Sequence, residues 1–321
     1  MPEAYRGTTV PPVTYAVGMS AAKLPTWRPG STRDAIEAFL EAAEMLPIEQ
    51  RVAVFDIDGT LWSEKPQYVM IEFLLKELRD AVERQPDLAL RPEYRAALDW
   101  DRATIARLGA VNVVLALVEL HTGMTPEEFE TRARAFFEAA RQPDRAVPYS
   151  QTRYRPMLEF IAELRARHFS VHLVTGGGVE FVRAISERYF GVKPEGVVGS
   201  QVGYELVRAD GTPRLLRTKE IFGDPNEGAA KITNIQRMLG RRPILAAGNS
   251  AGDIEMLEYT AAFEGPSLAL VLDHDDAERE YAYAGEAAFV AGLEAMSETA
   301  GKKGWRVVSM RDDWDTVFAD S

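Results

Sequence analysis

Cysteine is missing from this 321-residue chain. Its absence excludes disulfide frameworks, thiolate nucleophiles and Cys-ligated zinc or iron–sulfur centres. Histidine is scarce: His121, His168, His172 and His274 are scattered, without the H-E-x-x-H spacing of a His-built metal site, so any metal is expected to be held by oxygen. Lys and Arg (37) are outnumbered by Asp and Glu (49), giving a formal charge of −12. Nucleic acid is therefore not an expected partner, because sequence-independent binding to it depends on clustered cations that neutralise phosphates. Long apolar runs are also lacking. The most apolar stretch, 109–120, is interrupted by Asn112 and Glu119 and falls short of the ~20 residues that span a bilayer, so no membrane partner is expected. Residues 1–30 contain Pro2, Pro11, Pro12, Pro25 and Pro29 and no apolar core of signal-peptide length. They read as a flexible arm, with the cytoplasm as the default location; a secreted chain stripped of its leader would look the same.

Apolar residues make up 46% of the chain, and the length suits about two domains at roughly 150 residues each. Ser31 followed by Asp34 resembles a helix cap, with Ile36, Phe39, Leu40 and Ala43 at helical spacing behind it. Residues 51–55 form a β-branched and aromatic run that stops at Asp56-Ile-Asp-Gly-Thr60, as a buried strand ending in a polar turn would. From 62 to 150 the patterns are helical: 69–82, 98–120, and 126–140, the last with Thr125 and Glu128 as a capping box. Beyond 156, helices alternate with strands at 171–174, 244–247 and 268–272, and a hairpin is expected about Asp210-Gly211. This alternation predicts an α/β fold: a Rossmann-like parallel sheet core over 31–61 and 151–321, with an all-helical segment inserted at 62–150.

Ligands of open parallel sheets bind beyond the carboxyl ends of the strands. Three strands here end in polar or Gly-rich turns, at 56–60, 175–178 and 248–253. Asp56 and Asp58 are two apart, so in extended geometry their side chains leave one face ~6–7 Å apart. Carboxylates that close repel unless a cation joins them or one is protonated. Mg²⁺ suits such an oxygen site and leaves room for a phosphate oxygen. One carboxylate can then attack phosphorus while the other moves a proton to and from the leaving oxygen. Alternatively, an Asp-x-Asp-Gly turn simply hydrogen-bonds its own backbone. An EF-hand is excluded, since Thr60 and Gln67 stand where its fifth and twelfth ligands belong.

The order Asp56-Ile-Asp58-Gly-Thr-Leu, Val-Thr175-Gly-Gly, Lys231 and Gly248-Asn249-Ser-Ala-Gly-Asp253 resembles the four signatures of the haloacid dehalogenase-like superfamily. Within it the chain is most similar to phosphoserine-phosphatase-like phosphatases with a helical cap, over about 52–263. The resemblance implies a Mg²⁺-dependent phosphatase that hydrolyses a small phosphorylated metabolite through an aspartyl-phosphate. It implies Asp56 as nucleophile and Asp58 as general acid/base whose carbonyl also meets Mg²⁺. Thr175 with the amides of Gly176 and Gly177 would bind the phosphoryl oxygens. Lys231 would neutralise charge between Asp56 and the phosphate, with Lys219 as a rival less well spaced. Asn249 or Asp253 would complete the metal site. It also implies the cap as the source of substrate choice, with Trp62, Glu64 and Tyr68 near the mouth.

Two departures stand out. Asn249 replaces the more usual Asp and removes one negative charge, and Lys65 stands where phosphoserine phosphatases have a substrate-binding Glu, so phosphoserine is not the expected substrate. Two other functions share these residues. Gly248-Asn-Ser250-Ala-Gly252 satisfies G-x-S-x-G, a serine-esterase elbow, although the only downstream His is His274, with Asp273 beside it. A non-catalytic phosphate-ligand binder would keep the fold without the chemistry. The 273–280 segment reads as a helix start with surface ion pairs that edges the site. The sequence assigns no oligomeric state.

Overall fold

The computed structural model describes residues 24–285 and 295–319. Its centre is an eight-stranded sheet in the order β4-β3-β2-β1-β5-β6-β7, with β8 also beside β6. The strands are β1 (Val52–Phe55), β2 (Ser170–Gly178), β3 (Val197–Ala209), β4 (Thr212–Phe222), β5 (Leu245–Gly248), β6 (Leu268–Asp275), β7 (Ala282–Tyr283) and β8 (Arg306–Ser309). Pairing is parallel for β1 with β2 and β5, β2 with β3, and β6 with β5 and β8; it is antiparallel for β3–β4 and β6–β7. All four residues of β1 and of β5 are buried, as expected of strands covered on both faces. After β1 the chain pairs to one side (β2, β3) and returns to the other (β5, β6). The carboxyl end of β1 thus lies at a topological switch point, where such sheets leave a crevice.

Helices α1 (Ser31–Ala43), α7 (Arg155–Ala166), α8 (Val179–Phe190), α9 (Ala229–Leu239), α10 (Ile254–Ala261), α11 (Met296–Lys303) and α12 (Met310–Asp313) accompany the sheet. Helices α2 (Val69–Arg84), α3 (Pro92–Leu98), α4 (Arg102–Leu108), α5 (Ala110–Glu119) and α6 (Pro126–Ala139) lie between β1 and β2 with no strand among them. This is the expected helical insertion. Its interior is aromatic. Phe73 of α2 contacts Phe129 and Phe136 of α6 edge-on, and reaches Phe181 of α8 in the sheet layer. Trp62 sits between Phe137 of α6 and Phe190 of α8, tilted against both rings. The Thr125 cap forms: Thr125 Oγ1 accepts from the Glu128 amide (3.2 Å) and Glu128 Oε2 from the Thr125 amide (2.9 Å).

The structure corrects several sequence expectations. The segment 98–120 is not one helix. Asp101 caps α4 by accepting from the Thr104 amide, and Gly109 at φ 87 separates α4 from α5. The cap residue of α1 is Gly30 rather than Ser31, with no side-chain bond. The expected arm is anchored by its last residues: Leu24 and Trp27 are buried, and the Trp27 ring meets Trp314 edge-on. Residues 1–23 of that arm lie outside the described residues. The hairpin turns at Asp210-Gly211, both at positive φ, with strands longer than the sequence suggested. The 273–280 segment completes β6 and then turns; it starts no helix, although Asp276 does pair with Arg279.

Glu77 of α2 is buried in the insertion and accepts from Arg132 Nη1 at 2.7 Å, with His121 Nε2 at 3.7 Å. Burial alone would raise its pKa, but His121 and Arg132 outweigh it and lower the value to about 2. Because this pKa is depressed, the contribution to stability is complete above the ordinary glutamate value and is lost as pH falls toward 2. Glu77→Gln is expected to cost about 2 kcal/mol at pH 6, discounted for the exposure of Arg132. The difference from wild type should narrow between pH 5 and pH 3 in urea unfolding; a gap independent of pH would contradict the ion-pair account.

Candidate functional site

Three strand ends converge on one cavity of about 150 Å³, lined among others by Asp56, Asp58, Glu64, Tyr68, Gly176, Gly177, Glu227, Lys231 and Ser250. Asp56 follows β1, and its amide donates to Ala247 of β5, which fixes the turn to the neighbouring strand. Lys231, in the first turn of α9, is 2% exposed and donates to Asp56 Oδ1 and Asp253 Oδ1, both at 2.6 Å. Burial alone would lower the Lys231 pKa, but Asp253 and Asp56 reverse this and hold it well above the ordinary lysine value. Lys219, the rival in sequence, is exposed.

The loop after β5 is tied by Asp253, whose Oδ2 accepts from the amides of Asn249 and Ser250 (3.1 Å each) and from Ser250 Oγ (3.3 Å). A Cβ on Gly248 would come within 2.5 Å of that carboxyl group, so glycine is required there. Both oxygens of Asp253 are thus engaged, one on Lys231 and the other on the loop. Ser250 Oγ is thus held by an acid. The ring nitrogens of His274 face Gly59 O (2.8 Å) and Glu280 Oε2 (3.3 Å). Ser250 therefore lacks the base that the esterase alternative requires.

Thr60 Oγ1 is 3.2 Å from Asp56 Oδ2 and 3.3 Å from Asn249 Oδ1, so one hydroxyl draws together two oxygens from different strand ends. Asn249 Nδ2 donates to Glu64 Oε1 at 3.2 Å, which turns the amide oxygen toward Asp56. Gly59, at φ 71, makes room for this: a Cβ there would lie 2.0 Å from Asn249 Nδ2 and 2.9 Å from Glu64 Cδ. Asp58 Oδ1 accepts from Trp62 Nε1 at 2.7 Å. Burial pushes the Asp58 carboxyl up to about 6 against the opposing Trp62 bond and Lys231 charge. Burial also pushes Glu64 up to about 7, opposed by His274 and reinforced by Asp58. For Asp56, burial and then Asp253 raise the value well above the ordinary carboxylate range, with Lys231 opposing.

Asp56 and Asp253 bond the Lys231 ammonium, Glu227 and Asp58 feel its charge, and Glu64 lines the same cavity; this excess of acid over one cation fits a hard metal ion. The fitting donors are Asp56, the Asn249 amide oxygen and Asp58. Among the described residues no group of three or more His, Cys, Asp or Glu side chains is arranged for a metal; this set is mixed, with an amide in place of a carboxylate.

Of the cap-side expectations, Tyr68 and Glu64 line the cavity, whereas Trp62 is buried at the interface between the insertion and the sheet layer. Thr175 is buried, and its Oγ1 accepts from the Gly177 amide at 2.9 Å, leaving Gly176 and Gly177 themselves at the cavity wall. The sequence reading missed Glu227, whose Oε1 would lie 1.8 Å from a Cβ on Gly176. Its pKa is raised by burial, with Lys231 opposing. Glu280, read in the sequence as part of a surface ion-pair segment, is instead buried and accepts from Ser63 Oγ (2.6 Å) and Tyr154 OH (3.1 Å). A buried acid in a loop carries no periodic signal, so only the fold reveals these two.

Replacing Lys231 by Met would leave Asp56 and Asp253 facing each other without a cation. We expect a loss of about 3–5 kcal/mol in chemical unfolding. Unchanged stability would show that the ammonium does not balance the pair.

The sequence profile of haloacid dehalogenase-like hydrolases matches residues 53–258. No curated protein matches the chain. Among solved structures, a protein of unknown function from Bordetella pertussis Tohama I is 18% identical and aligns over 81% of this chain and 98% of its own, with a TM-score of 0.52. A conserved protein of unknown function from Anaerococcus prevotii DSM 20548 is 14% identical over 90% and 94%, with a TM-score of 0.56. A phosphoserine phosphatase bearing a phospho-aspartyl intermediate analogue is 20% identical over 70% and 86%, with a TM-score of 0.36. The first two share the fold.

Proposed function

Since the chain belongs to the haloacid dehalogenase-like hydrolases, we propose that it is a Mg²⁺-dependent phosphatase that hydrolyses a small phosphomonoester through a phospho-Asp56 intermediate. The observation that carries this reading is the Lys231 ammonium bonded to both Asp56 and Asp253 at 2.6 Å. The ammonium opposes the burial and the Asp253 charge that raise the Asp56 pKa, and an incoming phosphate would share the same cation. An Asp56 oxygen attacks phosphorus and the ester P–O bond breaks; the leaving oxygen takes the proton of Asp58. Water then attacks the aspartyl-phosphate and gives a proton to Asp58, and the bond between phosphorus and Asp56 breaks to release phosphate and the free carboxylate. Lys231 and the Gly176 main chain would face the equatorial oxygens, on which the charge of a phosphoryl group accumulates. Asp56, the Asp58 carbonyl oxygen and the Asn249 amide oxygen would hold Mg²⁺, which when bound polarises the phosphoryl group. The helical insertion acts as the cap, its Tyr68 contributing to the cavity wall.

Asp56→Asn should lower kcat for an aryl phosphate on the order of 10³-fold or more in a folded protein, and EDTA should stop the wild type. Full activity in either case would remove the assignment. Asp58→Asn should lose ~10²–10⁴-fold on alkyl phosphates, whose leaving groups need a proton, and far less on 4-nitrophenyl phosphate. An equal loss on both would count against Asp58 as the acid.

A further inference from the structure

Arg217 of β4 lies at the cavity wall away from the motifs and is 4% exposed. Its Nη2 pairs with Glu180 Oε2 at 2.8 Å, and its guanidinium stacks 3.8 Å from the centre of the Phe129 ring. Its Nε and Nη1 are buried without a hydrogen-bond partner. Leaving two such donors bare is costly, and groups of this kind call for a partner that arrives later. The arginine is also held in place by its backbone: the Arg217 amide donates to Met124 O and the Gly123 amide to Arg217 O, both at 2.8 Å. These bonds tie β4 to the turn between α5 and α6. The same cavity that Arg217 and the acidic residues line also has apolar walls, formed among others by Ile71, Val114, Leu115, Val118, Phe181 and Val202. The cavity, about 150 Å³, suits a compact ligand.

We propose that Arg217 is a specificity residue, and that the substrate carries a compact apolar or ring-shaped body ending in an oxygen acceptor, a carbonyl or a carboxylate, which takes the bare Arg217 donors while the phosphate sits at Asp56 and Lys231. The substrate class rests on the phosphatase reading above; the acceptor site itself does not. Glu180 already balances the arginine charge, so the missing partner is defined first by its lone pairs, and a carboxylate and an uncharged amide are separate arms of the test.

Kinetics with benzyl phosphate, 4-carboxybenzyl phosphate and 4-carbamoylbenzyl phosphate read the preference, because a substituent one carbon removed from the ester oxygen changes the leaving group little. Wild type is expected to favour at least one acceptor-bearing ester about tenfold in kcat/KM, mainly through KM. That ratio should fall to about one in Arg217→Met and in Arg217→Lys; the lysine variant keeps a cation for Glu180 and Phe129 if the methionine variant folds poorly. In parallel, binding of benzoate and benzamide is followed by ligand-observed NMR on wild type, Asp56→Asn and the Arg217 variants. Binding to the first two and its loss in the Arg217 variants supports the proposal. A preference or binding that survives both Arg217 variants overturns it, as does a wild type that hydrolyses the esters without preference or that binds neither benzoate nor benzamide. If no benzyl ester is hydrolysed while benzoate binding still depends on Arg217, the phosphatase reading fails and the acceptor site stands.

Discussion

An ammonium group removed from water persists only with anions against it, and Lys231 has two, Asp56 Oδ1 and Asp253 Oδ1, each at 2.6 Å. The requirement is mutual. Asp56 ends β1, Asp253 closes the loop after β5, and Lys231 opens α9, so a single charge-balanced triad fixes three separate chain segments. The parallel pairing of β1 with β5 makes this possible by bringing residues about 200 apart in sequence to one end of the sheet. Asp253 then holds the Asn249 and Ser250 amides with its other oxygen, so the geometry of the loop and the charge balance are set by one side chain.

The helical insertion supplies what the sheet end lacks. It walls the crevice with apolar side chains, and its aromatic interior continues into the sheet layer through Phe73–Phe181 and Trp62–Phe190. Trp62 joins the two roles, with its ring at this interface and its Nε1 on Asp58. The acid and the packing of the insertion are therefore coupled: a shift of the insertion relative to the sheet would change the bond that opposes the burial-raised pKa of Asp58. The cavity wall thus combines acidic residues and Lys231 from the strand ends with apolar side chains and Arg217.

Much of this was legible in the residues because it is local. Asp56, Asp58, Thr175 and the 248–253 turn lie where buried apolar runs end, and a parallel sheet places such ends together. The Thr125 capping box and the Asp210-Gly211 turn are likewise short-range chemistry, and both formed. The reading of 98–120 as one helix erred because its apolar periodicity runs across Gly109 and the capping Asp101, the two local signals that break it. Arg217 and Glu227 were not legible. In sequence each is one charge among many on a hairpin or loop. Arg217 is buried because β4 meets the Gly123–Met124 turn, and Glu227 comes close because Gly176 and Gly252 have no side chains. Asn249 was noticed as a missing charge, but its link to Glu64 depends on the positive φ of Gly59 and is visible only in three dimensions.

The central claim is that the carboxylate held by Lys231 forms the bond to phosphorus. The most direct measurement is to quench the protein with acid during turnover of a phosphomonoester, reduce it with borohydride and map the product by peptide mass spectrometry. A phosphorylated carboxylate is reduced to an alcohol and a free one is not, so the account predicts homoserine at position 56, dependent on substrate and absent from Asp56→Asn. An unmodified Asp56 in an enzyme that is turning over, or a modification at Ser250 or another carboxylate, would contradict it.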